Sequence, residues 1–240
     1  MEFRIVDCHC HWGPSITLDS NVSTRSLLRQ MKEAGVKQAM IMPFPSTAAR
    51  SGEINVRLLN ECRRVEQFVP CFHIREDLSP VPGEYYSGKW HRMRSSGDVS
   101  SNYRVLEDPE LSNLIDSLTV KGKPILFEED LQFTKRFVEM ADGLPLIIPH
   151  LGMTGGNPVD FLETFKDRPK VSFSSALAGK ETIMRFIETI GPERVLFGSD
   201  VPFGSMTAEV SKILSLPISE TDKALILGRN IVRLSRLPPL

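Results

Sequence analysis

The sequence lacks any apolar run near the roughly 20 residues that cross a bilayer, so no membrane span is expected. It also lacks an excess of one charge. Its 29 basic and 30 acidic residues leave a formal charge of −1, which offers no electrostatic footprint for nucleic acid or an anionic membrane surface. Cysteine is scarce: Cys8, Cys10, Cys62 and Cys71 are too few for a secreted disulfide scaffold of this length and show no CxxC spacing for a structural zinc site. The opening MEFRIVDCHC has neither a basic segment nor an apolar stretch of signal-peptide type, so a cytoplasmic location with reduced thiols is expected. No low-complexity segment or interdomain linker interrupts the chain. No glycine-rich phosphate loop follows the first strand-like run, and no Gly-x-Ser-x-Gly elbow accompanies Ser174 and Ser175, which disfavours serine nucleophile chemistry.

What is present is an ordinary globular composition, 41% apolar and 25% charged, in a chain long enough for a sizeable core. Apolar strand-like runs fall at 3–11, 37–44, 67–74, 123–129, 144–150, 170–175 and 194–200, with a weaker one at 87–93. Most are continuous and not alternating, which suits parallel strands covered on both faces. Amphipathic stretches separate them. The first, from a Ser23 or Thr24 cap to Gly35, spaces its apolar residues at helical period, and the last, 219–237, opens on the capping pattern Ser219 to Asp222. Eight strands with intervening helices predict a (β/α)8 barrel, an α/β fold, occupying 1–240 as one domain. Residues 75–103, rich in Pro, Gly and Ser, predict an irregular or shortened third unit. An open doubly wound sheet is the alternative.

The first strand reads VDCHCH. Side chains alternate on a strand, so Asp7, His9 and His11 are expected on one face, and Val6, Cys8 and Cys10 on the other under the helices. Two histidines two apart can aim both imidazoles at one ion. Other strand ends carry matching groups: Glu128, Glu129 and Asp130 close the fifth strand, His150 the sixth, Asp200 the last, and Lys89 and His91 the fourth. The C-terminal rim of such a barrel gathers catalytic groups. A carboxylate that ends an apolar strand needs a cation or donors there. His73 and Arg75 end the third strand, His73 as a pocket-lining or core residue and Arg75 as a weak carboxylate-binding candidate.

Taken together, VDCHCH, IIPHLG, ERVLFGSDVPFG and ILGRNIVRLSRL resemble the metal-dependent amidohydrolase superfamily, in particular the branch that includes aminocarboxymuconate semialdehyde decarboxylase. The resemblance runs from the first strand to the last helix. It implies that His9, His11 and Asp200 bind a divalent metal, with Asp200 also handling a proton, and that His150 polarises substrate or shuttles a proton. One position departs: Glu128 stands where a histidine ligand is usual, and as a carboxylate it remains a competent ligand. Lys89 and His91 sit in GKWHRM, which resembles a GxKxHp stretch of related proteins and reads either as a substrate-anion contact or as a basic loop segment beside Arg92 and Arg94. The expectation is a zinc-dependent hydrolase of a small lactone, amide or ester, with one ion or two, held by His9, His11, Glu128 and Asp200 and served by His150 and Asp200. Lys89, His91 and His73 are its substrate-side candidates. A non-oxidative decarboxylase and a non-catalytic ligand-binding barrel are the alternatives. The expected partner is a small-molecule substrate, with neither nucleic acid nor membrane, and a homodimer as the assembly.

Overall fold

The computed structural model describes residues 3–91 and 101–238. Along the chain lie β1 (Ile5–Ser15), β2 (Ser20–Val22), α1 (Thr24–Ala34), β3 (Val36–Pro43), α2 (Pro45–Ala48), α3 (Glu53–Arg64), β4 (Phe68–His73) and β5 (Ser87–His91). They are followed by α4 (Pro109–Lys121), β6 (Ile125–Glu128), α5 (Leu131–Met140), β7 (Leu146–Ile148), α6 (Pro158–Phe165), β8 (Val171–Ser174), α7 (Lys180–Ile190) and β9 (Val195–Leu196). The C-terminal helices are α8 (Met206–Leu214), α9 (Glu220–Ala224) and α10 (Asn230–Ser235). Every strand from β3 to β9 pairs in parallel with its predecessor, β3 on β1, while β2 folds back antiparallel on β1.

The seam is closed by backbone hydrogen bonds that run past the end of β9. Cys8 N donates to Phe197 O at 3.1 Å, Asp200 N to His9 O at 2.8 Å, and His11 N to Val201 O at 2.9 Å. Eight parallel strands thus close a barrel, the expected (β/α)8 fold.

Local chemistry explains most boundaries. Ser23 caps α1 by accepting from Ser26 N, and Gly35 ends it in the left-handed region at φ 71°. Asp108 accepts from Glu110 N at the start of α4, and Ser219 accepts from Asp222 N at the start of α9. Between β4 and β5 there is no helix. Pro80 and Pro82 deprive residues 74–86 of helical donors, and Leu78, Val81 and Tyr85 turn inward to cover the barrel wall instead. That is the irregular third unit. The weak fourth strand is real as far as His91; positions 92–93 lie outside the described residues.

Three features differ from expectation. Strand β2, the short helix α2 and helix α8, which Ser205 caps through Ala208 N, are additional. The C-terminal segment is not one α-helix, because a π-helical turn over Leu225–Arg229 joins α9 to α10. In that turn the Ile226 carbonyl accepts from Phe197 N at 2.8 Å, and Gly228 passes so close to the β1 entry that a Cβ would lie 2.0 Å from Arg4 O.

The third difference is in β1. Its register against β3 shifts between Asp7 and Cys10. Val6 and Cys8 join Met40, Met42, Val69, Cys71, Leu126, Ile147 and Leu196 in a plug to which six strands contribute, inside the barrel, with Ile231 of α10 closing its floor. Cys10 and Trp12 belong to the outer shell under the helices. The expected placement under the helices holds for Cys10 and fails for Val6 and Cys8, since a bulge puts two residues against one and resets which face follows.

Candidate metal centre

Above the plug the strands end in polar side chains. The bulge in β1 brings both imidazoles to this layer, with ring centroids of His9 and His11 5.4 Å apart. Asp7 turns aside. Its Oδ1 accepts from His9 N at 3.0 Å and from Ser199 N at 3.0 Å, so one buried carboxylate ties the bulge to the segment carrying Asp200. Burial pushes the Asp7 carboxyl up to about 7, against the hydrogen bonds from Ser199 and His9.

Asp200 sits at φ 54° and His150 at φ 55°, conformations that non-glycine residues adopt at a cost of about 1–3 kcal/mol each. The HLG turn after β7 explains its own glycine: Gly152 is at φ 87°, and a Cβ there would lie 2.3 Å from the Phe161 ring. These turns aim three imidazoles at one carboxylate. His9 Nε2 is 3.3 Å and His11 Nε2 3.2 Å from Asp200 Oδ1, while His150 Nε2 is 3.7 Å from Asp200 Oδ2. All four residues are buried. His150 Nδ1 lies 3.3 Å from Ala176 O; donating there, it leaves Nε2 as the acceptor facing Asp200.

These donors fit a divalent metal ion. Four tetrahedral ligands about 2.0 Å from zinc lie about 3.3 Å apart, the separation that His9 and His11 keep from Asp200. Among the described residues both nitrogens of His9 and Oδ1 of Asp200 have no hydrogen-bond partner despite full burial. A buried polar atom left so costs about 1–3 kcal/mol. Burial first, then the charges of Lys89, His150 and His11, hold the His9 imidazole well below its ordinary range, in the neutral form that ligates. His9, His150 and Asp200 offer ligand atoms that all lie within 4.8 Å of one another.

The remaining expected residues form a second group beside the first. Glu128 Oε2 receives Lys89 Nζ at 2.7 Å, and His91 Nε2 is 3.5 Å from Oε1. Burial alone would raise the Glu128 carboxyl, but Lys89, His91 and His150 outweigh it and hold it well below the usual carboxylate range. Lys89 is fully buried. His73, in register with Lys89, is buried too; burial, His91 and Lys89 push it down to about 3.

A cavity of about 370 Å³ opens onto this layer. Its floor is polar, with His11, His91, Glu128, His150 and Asp200, and its walls are apolar, with Leu18, Phe44, Leu177 and Phe203. His9, His73 and Lys89 are not among its lining residues. Phe44 stacks on the His11 ring at 4.7 Å and 16°, and Phe203, half exposed, meets His11 edge-on at 5.8 Å. Sequence reasoning missed Asp7 as an anchor and both phenylalanines as walls. The available signal was the repeated Pro-Phe after a strand, MPF at 42–44 and VPF at 201–203.

Solved structures share this fold along nearly their whole length. A 2,6-dihydroxybenzoate decarboxylase from Rhizobium superposes with a TM-score of 0.78 at 14% identity, over 98% of this chain and 99% of that one. An amidohydrolase from Burkholderia multivorans with bound zinc gives 0.78 at 14%, over 98% and 99%. A dihydroxybenzoic acid decarboxylase from Polaromonas sp. JS666, with bound manganese and the inhibitor 2-nitroresorcinol, gives 0.77 at 13%, over 97% and 96%. At such identities the likeness establishes the fold. No curated protein matches in sequence. The family model described as Amidohydrolase matches residues 90–237, most of the chain, and with the His-x-His strand before that match and the aspartate within it, the chain belongs to the amidohydrolase family.

Proposed function

We propose that this protein is a metal-dependent enzyme acting on a small carboxylic acid with a planar apolar body, and that its reaction is non-oxidative decarboxylation. The observation that carries this reading is the convergence of His9, His11 and His150 on Asp200 at the floor of a cavity walled by Phe44 and Phe203. Support also comes from the named neighbours, two of which are decarboxylases of dihydroxybenzoates.

In this reading His9, His11 and Asp200 hold a divalent ion, with His150 beside it. When bound, the ion supplies a positive charge that orients the substrate's oxygen atoms and stabilises negative charge. The protein does the rest. Phe44 and Phe203 receive the apolar body and keep water from its faces. The bond to the carboxyl carbon breaks, CO2 leaves, and the electron pair stays on the carbon, which takes a proton. Asp200, with His150 Nε2 3.7 Å from its Oδ2, is the pair placed to carry that proton.

Hydrolysis of a lactone, amide or ester is the second reading, favoured by the description of the matching family and by the zinc-bound Burkholderia neighbour. It uses the same groups, with Asp200 or His150 taking the proton from water. Protein loaded with zinc or manganese, offered a panel of hydroxybenzoates, lactones, amides and esters, separates the two. CO2 release that His9→Ala abolishes supports decarboxylation. Hydrolysis products without CO2 transfer the assignment to the second reading. Protein that binds no metal and turns over nothing is a ligand-binding barrel.

A further inference from the structure

We propose that Lys89 is a built-in cation that keeps Glu128 off the metal and limits the centre to one ion. This rests on the metal-centre reading and deepens it. Glu128 stands at a barrel-strand end beside His91, its register partner, with carboxylate and imidazole 3.5 Å apart. Opposite Lys89 in register stands His73, whose two ring nitrogens have no hydrogen-bond partner among the described residues. A carboxylate and two imidazoles on three adjacent strand ends are the makings of a second divalent site.

Lys89 occupies the middle of that set. Its ammonium is fully buried, stands in register with His73 and donates to Glu128 Oε2 at 2.7 Å. A fixed ammonium repels a divalent ion and takes the carboxylate oxygen such an ion would need. Among the described residues the ligand atoms of Glu128, His91 and His73 do not gather within 4.8 Å of one another, and the one trio that does is His9, His150 and Asp200. Lys89 and Glu128 cancel each other's charge. One divalent ion against Asp200 then leaves a single net positive charge, matched to a substrate bearing one carboxylate.

The experiment measures Mn2+ stoichiometry by calorimetry and elemental analysis in three proteins: wild type, Lys89→Met and the double variant Lys89→Met with Glu128→Gln. The expected result is one equivalent in wild type, two in Lys89→Met, and one again in the double variant. Two equivalents in wild type overturn the proposal, as does one equivalent in Lys89→Met with wild-type affinity. No bound Mn2+ in wild type refutes the metal centre itself and the inference with it. Should Lys89→Met fail to fold, a Mn2+-soaked wild-type crystal decides through its anomalous signal. A peak at His9, His11 and Asp200 with none bonded to Glu128 supports the proposal, and a peak bonded to Glu128 overturns it.

Discussion

Replacing His73 with leucine should remove a specific share of the protein's acid sensitivity. In the folded chain burial and the neighbouring charges of His91 and Lys89 push this imidazole down to about 3, against an ordinary value of 6.5. Unfolding therefore takes up a proton at any pH between those values. The sign follows: with a depressed folded value, the stability contributed by the neutral ring is fully present above pH 6.5 and is lost as pH falls towards 3. Each unit of separation is worth about 1.4 kcal/mol, so lowering the pH from 6.5 to 5 should remove about 2 kcal/mol through His73 alone. The leucine variant should lose that much less over the same interval. At neutral pH it should be as stable as wild type or more so, since it exchanges two buried nitrogens, unpartnered among the described residues, for an apolar side chain of similar size. Urea unfolding of both proteins at pH 6.5 and pH 5 gives the double difference, in which the other titrating groups cancel. Equal losses in the two proteins, or a larger loss in the variant, would refute the account of a neutral buried imidazole.

Asp200→Asn should lower metal affinity by on the order of 100-fold and abolish turnover, because it removes the one charge among the converging donors; elemental analysis after dialysis reads the first and product release the second. Asp7→Ala should destabilise the fold by about 1–3 kcal/mol, since His9 N and Ser199 N each lose an acceptor, and should weaken metal binding as well; Asp7→Asn, which keeps an acceptor oxygen, should recover most of both in chemical denaturation and metal titration. Phe203→Ala should raise KM for an aromatic acid several-fold while leaving Tm within a degree or two of wild type, because the ring is half exposed at the cavity mouth. An unchanged KM would place the substrate elsewhere in the cavity.

The barrel was legible because its strands are continuous apolar runs and its helices begin and end on residues that cap them, such as Ser23, Gly35, Asp108 and Gly122. The converging quartet was legible for a related reason. In this architecture strand ends share one rim, so His9, His11, His150 and Asp200 could be placed together without knowing a single distance. What could not be read depends on register. The bulge that lets Val6 and Cys8 point inward along with His9 and His11 leaves no mark in VDCHCH, where strict alternation fits equally well. The Lys89–Glu128 pair needs the offset between β5 and β6, which hydrophobic pattern leaves open. Phe44 and Phe203 look like any apolar residue after a strand until the loops that carry them are folded over His11. Among the described residues no helix is long and apolar enough to cross a membrane, as composition indicated.

The seam between the first and last strands has a temporal meaning. Asp7 and Ser199 are joined across 192 positions of chain, and the donors of the centre come from both sides of that join. During synthesis His9 and His11 must wait until the chain has emerged past Asp200 before their carboxylate partner arrives, and closing so long a loop is entropically demanding. No fragment that stops short of Asp200, however well its early strands pair, can assemble this constellation, so tight ion capture reports a closed seam.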